Sequence, residues 1–388
     1  MTPAKKTTIG YYLGFITLGM ATAVLGPTLP GLADQVGSQI SQMGILFSAR
    51  SVGFLLGALL AGRLFDRLPG HRLLTLALLG VVLLMALVPS VSSFWVITAV
   101  FLLLGLSQSG IDVGSNTLIV WLHGKAVGPY MNGLHFFFGV GSFLAPLIIA
   151  QVITLPHGLQ WAYWLLALLM LPSILYILRV PSPTMPKTAQ DAVAGAINWP
   201  VVGLIALFFF LYAGTEISYG GWIYTYALAT GTGTASSAAY LTSIFWGSLT
   251  MGRLLSIPLV ARLRAREMLL IGLAGCLLSL ALILLAPETT AVVWSGTIIL
   301  GLSMAPIFPT ILTLAERNTN VSGSVTSYFF AGASLGGMTI PWLVGQQFEQ
   351  SGPQAVMVII FGCLLLSTGV YGLLMRQIKV AHAAQAQS

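Results

Sequence analysis

Apolar residues fill windows of about 20 positions, enough to cross a bilayer as a helix, at twelve places along the 388-residue chain. These windows run approximately over 9–32, 40–62, 73–90, 94–121, 129–152, 159–179, 198–228, 236–258, 268–286, 291–315, 323–345 and 354–376. Short polar connections separate them, and the pattern predicts an all-α membrane protein of twelve transmembrane helices. Only the segment 181–196, PSPTMPKTAQDAVAGA, has the composition of a soluble linker. It divides the chain into two six-helix bundles, 1–180 and 197–388.

The loop charges supply an orientation. Lys5, Lys6, Arg63, Arg67, Arg72, Lys125, Arg179, Lys187, Arg262, Arg264, Arg266, Arg317, Arg376 and Lys379 fall on one side of the predicted membrane. Connections on the other side carry Asp34, His157, Glu288 and Glu349 and no Lys or Arg. The positive-inside rule therefore places both termini in the cytoplasm, the arrangement of a multi-pass plasma (inner) membrane protein. The first apolar run has no small-residue cleavage pattern and reads as a span, not a cleaved leader. The balance of 16 Lys and Arg against 9 Asp and Glu is basic, but the cations are scattered over short loops with no basic domain, so nucleic-acid binding is not indicated. Cys276 and Cys363 lie in apolar runs and are too few for a disulfide framework.

Three charged residues, Arg50, Asp112 and Glu216, interrupt the apolar runs. An ionisable group at that depth is costly unless it faces protein or a water-filled cavity, which makes each a candidate for a solute or ion path. Gln108, Asp112 and Asn116 recur at i, i+4 and i+8, one face of a helix that can hold hydroxyl groups or a cation. Asp112 lies about ten residues, roughly 15 Å, from the nearer end of its span and so near the bilayer centre. Two readings of it stand: a counter-charge for the equally deep Arg50, or a coupling site whose occupancy Arg50 sets. Asn132 and His135 share a face of the next span, where the histidine serves either packing or substrate contact. Glu216 lies among Gly214, Gly220 and Gly221, which predict a bend or unwound turn. Of the aromatics that follow, Tyr219 and Trp222 are assigned to a cavity, where aromatic faces cover the C–H side of a pyranose, and Tyr224 and Tyr226 to an interfacial belt. Asn198, Trp246 and Gln347 are weaker candidates, two near span ends and the tryptophan as core. No phosphate-binding loop, zinc spacing or serine elbow is present, so neither an enzyme nor an ATP-driven pump is indicated.

The halves echo one another. Residues 51–72, SVGFLLGALLAGRLFDRLPGHR, superpose without a gap on 241–262, LTSIFWGSLTMGRLLSIPLVAR, bringing Gly62-Arg63 onto Gly252-Arg253. LGLSQSGIDVG near 104 echoes LGLSMAPIFPT near 300. Parallel repeats of this kind place a substrate site between halves near the midplane.

GRLFDRLPGHR, residues 62–72, resembles the loop signature between the second and third helices of the major facilitator superfamily. In that family the loop's acid and arginines latch the cytoplasmic gate, which implies gating roles for Gly62, Asp66, Arg67 and Arg72 and, through the repeat, for Arg253. GIDVGSNTLIVWLHG (110–124), GPYMNGLHFFFGVGSFLAP (128–146) and YAGTEISYGGWIYTYA (212–227) resemble the fucose permease group, and within it the sodium-dependent glucose transporter branch. The resemblance implies a monomeric alternating-access sugar carrier, expected to take a hexose by cation symport. Sodium or a proton would be the coupling ion and no other cofactor is expected. Gln108, Asn116, Asn132, His135, Glu216, Tyr219 and Trp222 would bind sugar, while Asp112, Asn116 and Arg50 would couple the ion. Proton-coupled members of the group also carry an acid in the first helix, and this chain has none there, which leans toward sodium. The rival expectations are an exporter of amphipathic drugs or lipids and a transport-inactive sensor.

Overall fold

In the computed structural model the described residues are 2–65, 67–184, 198–260, 262–319 and 323–387. Asp66 and most of the 181–196 linker lie outside them. The described chain forms fourteen α-helices: α1 (Pro3–Ala23), α2 (Leu25–Val36), α3 (Ile40–Phe65), α4 (Gly70–Leu87), α5 (Phe94–His123), α6 (Gly128–Val152), α7 (Gly158–Ile177), α8 (Trp199–Ala229), α9 (Ala235–Val260), α10 (Ala265–Leu285), α11 (Thr290–Met304), α12 (Ile307–Asn318), α13 (Gly323–Ser351) and α14 (Gln354–Gln387).

Every predicted window contains a helix, but two windows are broken. The first splits into α1 and α2, bent by 48°, just before Pro27 and Pro30, whose rings remove backbone donors from the helical ladder. The tenth is interrupted at Ala305 and Pro306, between α11 and α12. Among the described residues nine segments are long and apolar enough to cross a membrane, or ten with the bent α1–α2 pair counted as one. Large apolar side chains such as Leu83, Leu168, Leu285 and Leu366 point outward exposed. In lipid that exposure carries no cost, because acyl chains are as apolar as leucine.

The start of α1 and the end of α5 lie together, joined by Thr8 Oγ1 and His123 Nε2 at 2.7 Å. Late α14 meets the start of α10, where Tyr371 Oη donates to Arg266 O at 3.5 Å. Both chain ends thus occupy one end of the bundle, called terminal below; the other end is distal. Asn198, a weak site candidate, caps α8 at the terminal end, its Oδ1 accepting from Val201 N at 3.3 Å.

The helices repeat, in a register different from the one the sequence superposition suggests. α3 and α9 are each 26 residues long, and 195 positions separate Ile40 from Ala235, as they do Gly70 from Ala265. The superposition of 51–72 on 241–262 implies an offset five residues shorter. Glycine packing decides between them: a Cβ on Gly57 would lie 2.7 Å from Leu106 O, and one on Gly252 would lie 3.0 Å from Leu302 O. Gly252 therefore takes the place of Gly57, not of Gly62. Apolar helices rich in small residues tolerate a slip of just over one turn in sequence, whereas backbone-to-backbone contact does not. One consequence corrects the gate assignment: Arg253 is not the counterpart of Arg63, in the last turn of α3, but lies further inside α9.

Candidate functional site

The distal end is sealed by contacts between the halves. Trp222 of α8 sits between Phe47 of α3 and Phe348 of α13, with ring centroids 6.2 and 5.5 Å away. Its Nε1 donates to Pro341 O at 3.1 Å. Ser41 Oγ donates to Glu349 Oε2 at 2.8 Å, and Ser48 Oγ to Met338 O at 2.6 Å, so the first half of α3 is tied to the second half of α13. α2 closes on α8 so tightly that a Cβ on Gly26 would lie 2.7 Å from Gly220 O. Nearer the terminal end Gly62 faces open space, while Arg67 and Arg72 are exposed with no ion pair among the described residues. Asp66, the acid of the proposed latch, lies outside the described residues.

Below the seal a ring of polar side chains remains accessible. Asp112 and Asn116 of α5 are half-buried, and Asn116 Nδ2 donates to Asp112 Oδ1 at 3.1 Å and to Asp112 O at 2.9 Å. On the same helix Ile111 and Ser115 face Gly14 of α1, while Leu106 and Ser109 face Gly57 of α3, so Asp112 projects between α1 and α3. Asn132 and His135 of α6 are exposed, and His135 rests edge-on against Phe15 at 5.9 Å. From the other half, Glu216 Oε1 of α8 pairs with Arg253 Nη2 of α9 at 3.8 Å, both side chains partly accessible. α6 and α9 meet one turn from His135 and Arg253, where a Cβ on Gly139 would lie 2.8 Å from Thr250 Cβ.

Several expectations change. Arg50 does not neutralise Asp112: its Nη1 donates to Thr22 O at 2.9 Å, and the Glu216–Arg253 contact is the one ion pair among the described residues. Side-chain direction explains this. Gly105 packs on the carbonyl of Arg50, Asp112 is seven residues or about 10 Å further along α5, and Cβ vectors point toward a helix's start, so Arg50 reaches for the distal end. Gln108 shares the predicted stripe but is buried, its Nε2 without a partner. Tyr219 and Trp222 are fully buried and do not belong to the accessible ring; Tyr219 Oη is bonded to Thr297 Oγ1 at 2.7 Å. Tyr224 and Tyr226 are buried too, not in an exposed belt, with Tyr226 Oη donating to Gln354 Oε1 at 3.2 Å. The predicted unwound turn in α8 is absent, since the helix runs unbroken from Trp199 to Ala229. Its glycines instead permit close approach: Gly214 faces Gly336 O, Gly220 faces Trp246 and Gly221 faces Phe47.

Sequence reasoning missed the partnership of Glu216 with Arg253. The two lie on consecutive helices, and no local spacing connects them. Breaking the pair from one side should cost more than losing an exposed surface bridge, because the remaining charge stays in a membrane interior. Arg253→Gln is expected to lower the melting temperature, and Arg253→Gln with Glu216→Gln to recover part of that loss; equal melting temperatures for wild type and single variant would show the pair to be inert. Trp222→Phe removes the donor to Pro341 O and should destabilise the distal seal by about 1–3 kcal/mol, read as a lower melting temperature.

A helical membrane protein built from repeated halves, sealed at one end and carrying charged, partly accessible side chains within the spans of both halves, is constructed as a secondary transporter. The chain belongs to the Major Facilitator Superfamily, whose family model matches residues 11–341; it is a membrane transporter and not an enzyme. Among relatives, it is 32% identical over 400 residues to sodium-dependent glucose transporter 1 of Xenopus laevis, covering 95% of this chain and 81% of that one. It is 30% identical over 391 residues to sodium-dependent glucose transporter 1A of Mus musculus, covering 91% of this chain and 92% of the relative. Among solved structures, a D-xylose-proton symporter superposes with a TM-score of 0.78 at 14% identity, covering 94% of this chain and 97% of the other.

Proposed function

We propose that the protein carries a hexose by alternating access and cation symport across a plasma (inner) membrane, as a monomer with both termini in the cytoplasm. The observation that carries the reading is identity near 30%, over nine-tenths of the chain or more, to two transporters named for sodium-dependent glucose transport. The site is compatible with it. Asp112 is the one acid in the interior of a first-half span, Asp34 lying in the last turn of α2. Asn116 donates through Nδ2, which leaves its Oδ1 free beside the Asp112 carboxylate, and a sodium ion takes oxygen ligands of this kind at transporter midplanes. Asn132, His135 and Glu216 supply donors and acceptors for sugar hydroxyls around the chamber. The two bundles, joined through the 181–196 linker, would rock about the site, and the chamber as seen would be the inward-open form. Purified protein in proteoliposomes is expected to accumulate glucose under an inward sodium or proton gradient. Uptake that is indifferent to both gradients would remove the symport part, and absence of any hexose flux would remove the substrate class.

A further inference from the structure

A second, narrower pocket lies directly under the distal seal, between the halves. Thr22 and Gly26 from α1 and α2, Phe47 and Arg50 from α3, Gly220 from α8 and Trp246 from α9 bound it, and it has room for about one water-sized group. Its chemistry is one-sided. Arg50 is 7% exposed, has one hydrogen bond, to Thr22 O, and no acid within ion-pair distance. Trp246 is 4% exposed, and its Nε1 has no partner. Guanidinium and indole nitrogens donate only. An unpaired cation and an unpaired donor at membrane depth are both costly, and here the two residues that carry them line the same pocket. The nearest candidate anions are committed elsewhere: Glu216 is paired with Arg253, and Asp112 holds Asn116 about 10 Å further along the bundle.

We propose that this pocket receives the carboxylate of an acidic sugar, a hexuronate, held by Arg50 and Trp246 Nε1 while the ring lies in the chamber toward Asp112 and Asn116. A guanidinium fork matches a planar carboxylate in shape as well as charge, and the pocket is too small for the ring itself. The inference rests on the sugar reading above and refines its substrate class from neutral hexose to hexuronate.

The test is thermal stabilisation of the purified full-length protein, titrated separately with D-glucuronate, D-glucose, acetate and chloride. Glucuronate should bind about tenfold or more tightly than glucose, the gain expected of a charge-assisted contact. Arg50→Gln should bring the ratio of the two affinities to about one, and Trp246→Phe, which keeps the ring and removes the N–H, should lower it in the same direction. Equal affinities in the wild type, or a preference that survives both substitutions, would overturn the acidic-sugar assignment and leave the hexose reading standing. Acetate or chloride stabilising as strongly as glucuronate would also overturn it, as a free-anion site. Binding of no sugar at all would sink the hexose reading itself, and this inference with it.

Discussion

Asp112→Asn is expected to abolish concentrative sugar uptake while sugar exchange down its own gradient continues. The substitution keeps the shape of the side chain and its contact with Asn116, and takes away the one negative charge that the first half presents to the chamber. A carrier converts an ion gradient into accumulation only if ion and solute occupancy are linked at one site. A membrane potential of 100 mV acting on one co-transported cation is worth about 2.3 kcal/mol, or about 50-fold accumulation. The variant should fall to about onefold, with counterflow of labelled against unlabelled sugar retained. Accumulation that persists in the variant would move the coupling site elsewhere, and Glu216 would be the next candidate.

The second large effect is expected at Gly26. A Cβ there would lie 2.7 Å from Gly220 O and 3.0 Å from Gly221 O, and both obstacles are backbone atoms that cannot rotate away. Because Gly26 belongs to the first half and Gly220 to the second, the bundles can relieve the clash by parting at the distal end. Gly26→Val should therefore penalise the sealed form by about 1–3 kcal/mol, shifting the balance of the two forms some 5- to 150-fold toward distal opening. The readout is the rate at which Ser41→Cys is modified by a membrane-impermeant thiol reagent from the distal side, compared with and without Gly26→Val. An unchanged rate with a lower melting temperature would mean that the glycine serves packing alone.

The sequence showed depth well and direction poorly. Hydropathy located a helix in every predicted window and singled out Asp112, Arg50 and Glu216, because burying charge in an apolar run is costly enough to be conspicuous without a structure. It could not say which way a side chain points around the helix and along it. That is why Arg50 was read as a partner of Asp112, although its chain runs to Thr22 O. The glycines of α8 were read through their low helix propensity, but in a membrane their lack of a side chain serves closeness. Gly214, Gly220 and Gly221 each meet a neighbouring helix from within an unbroken α8. The break after Ala23 was foreshadowed by Pro27 and Pro30, a signal that an apolar-window count passes over. The repeat was visible but slipped by five residues, and the slip moved Arg253 from its helix into the gate; Gly57 and Gly252, packed on matching backbone carbonyls, fix the register together with the helix starts.

Alternation itself is most directly examined by locking the distal seal. Gln346 Nε2 reaches Ser41 O at 3.3 Å across the two halves, so cysteines placed at Ser41 and Gln346 can be bridged by a short, cleavable bifunctional thiol reagent. Bridged protein in proteoliposomes should lose sugar flux and regain it when the bridge is cleaved, with either single-cysteine variant unaffected by the reagent. Undiminished flux through the bridged protein would contradict a carrier whose chamber must open at this end to turn over.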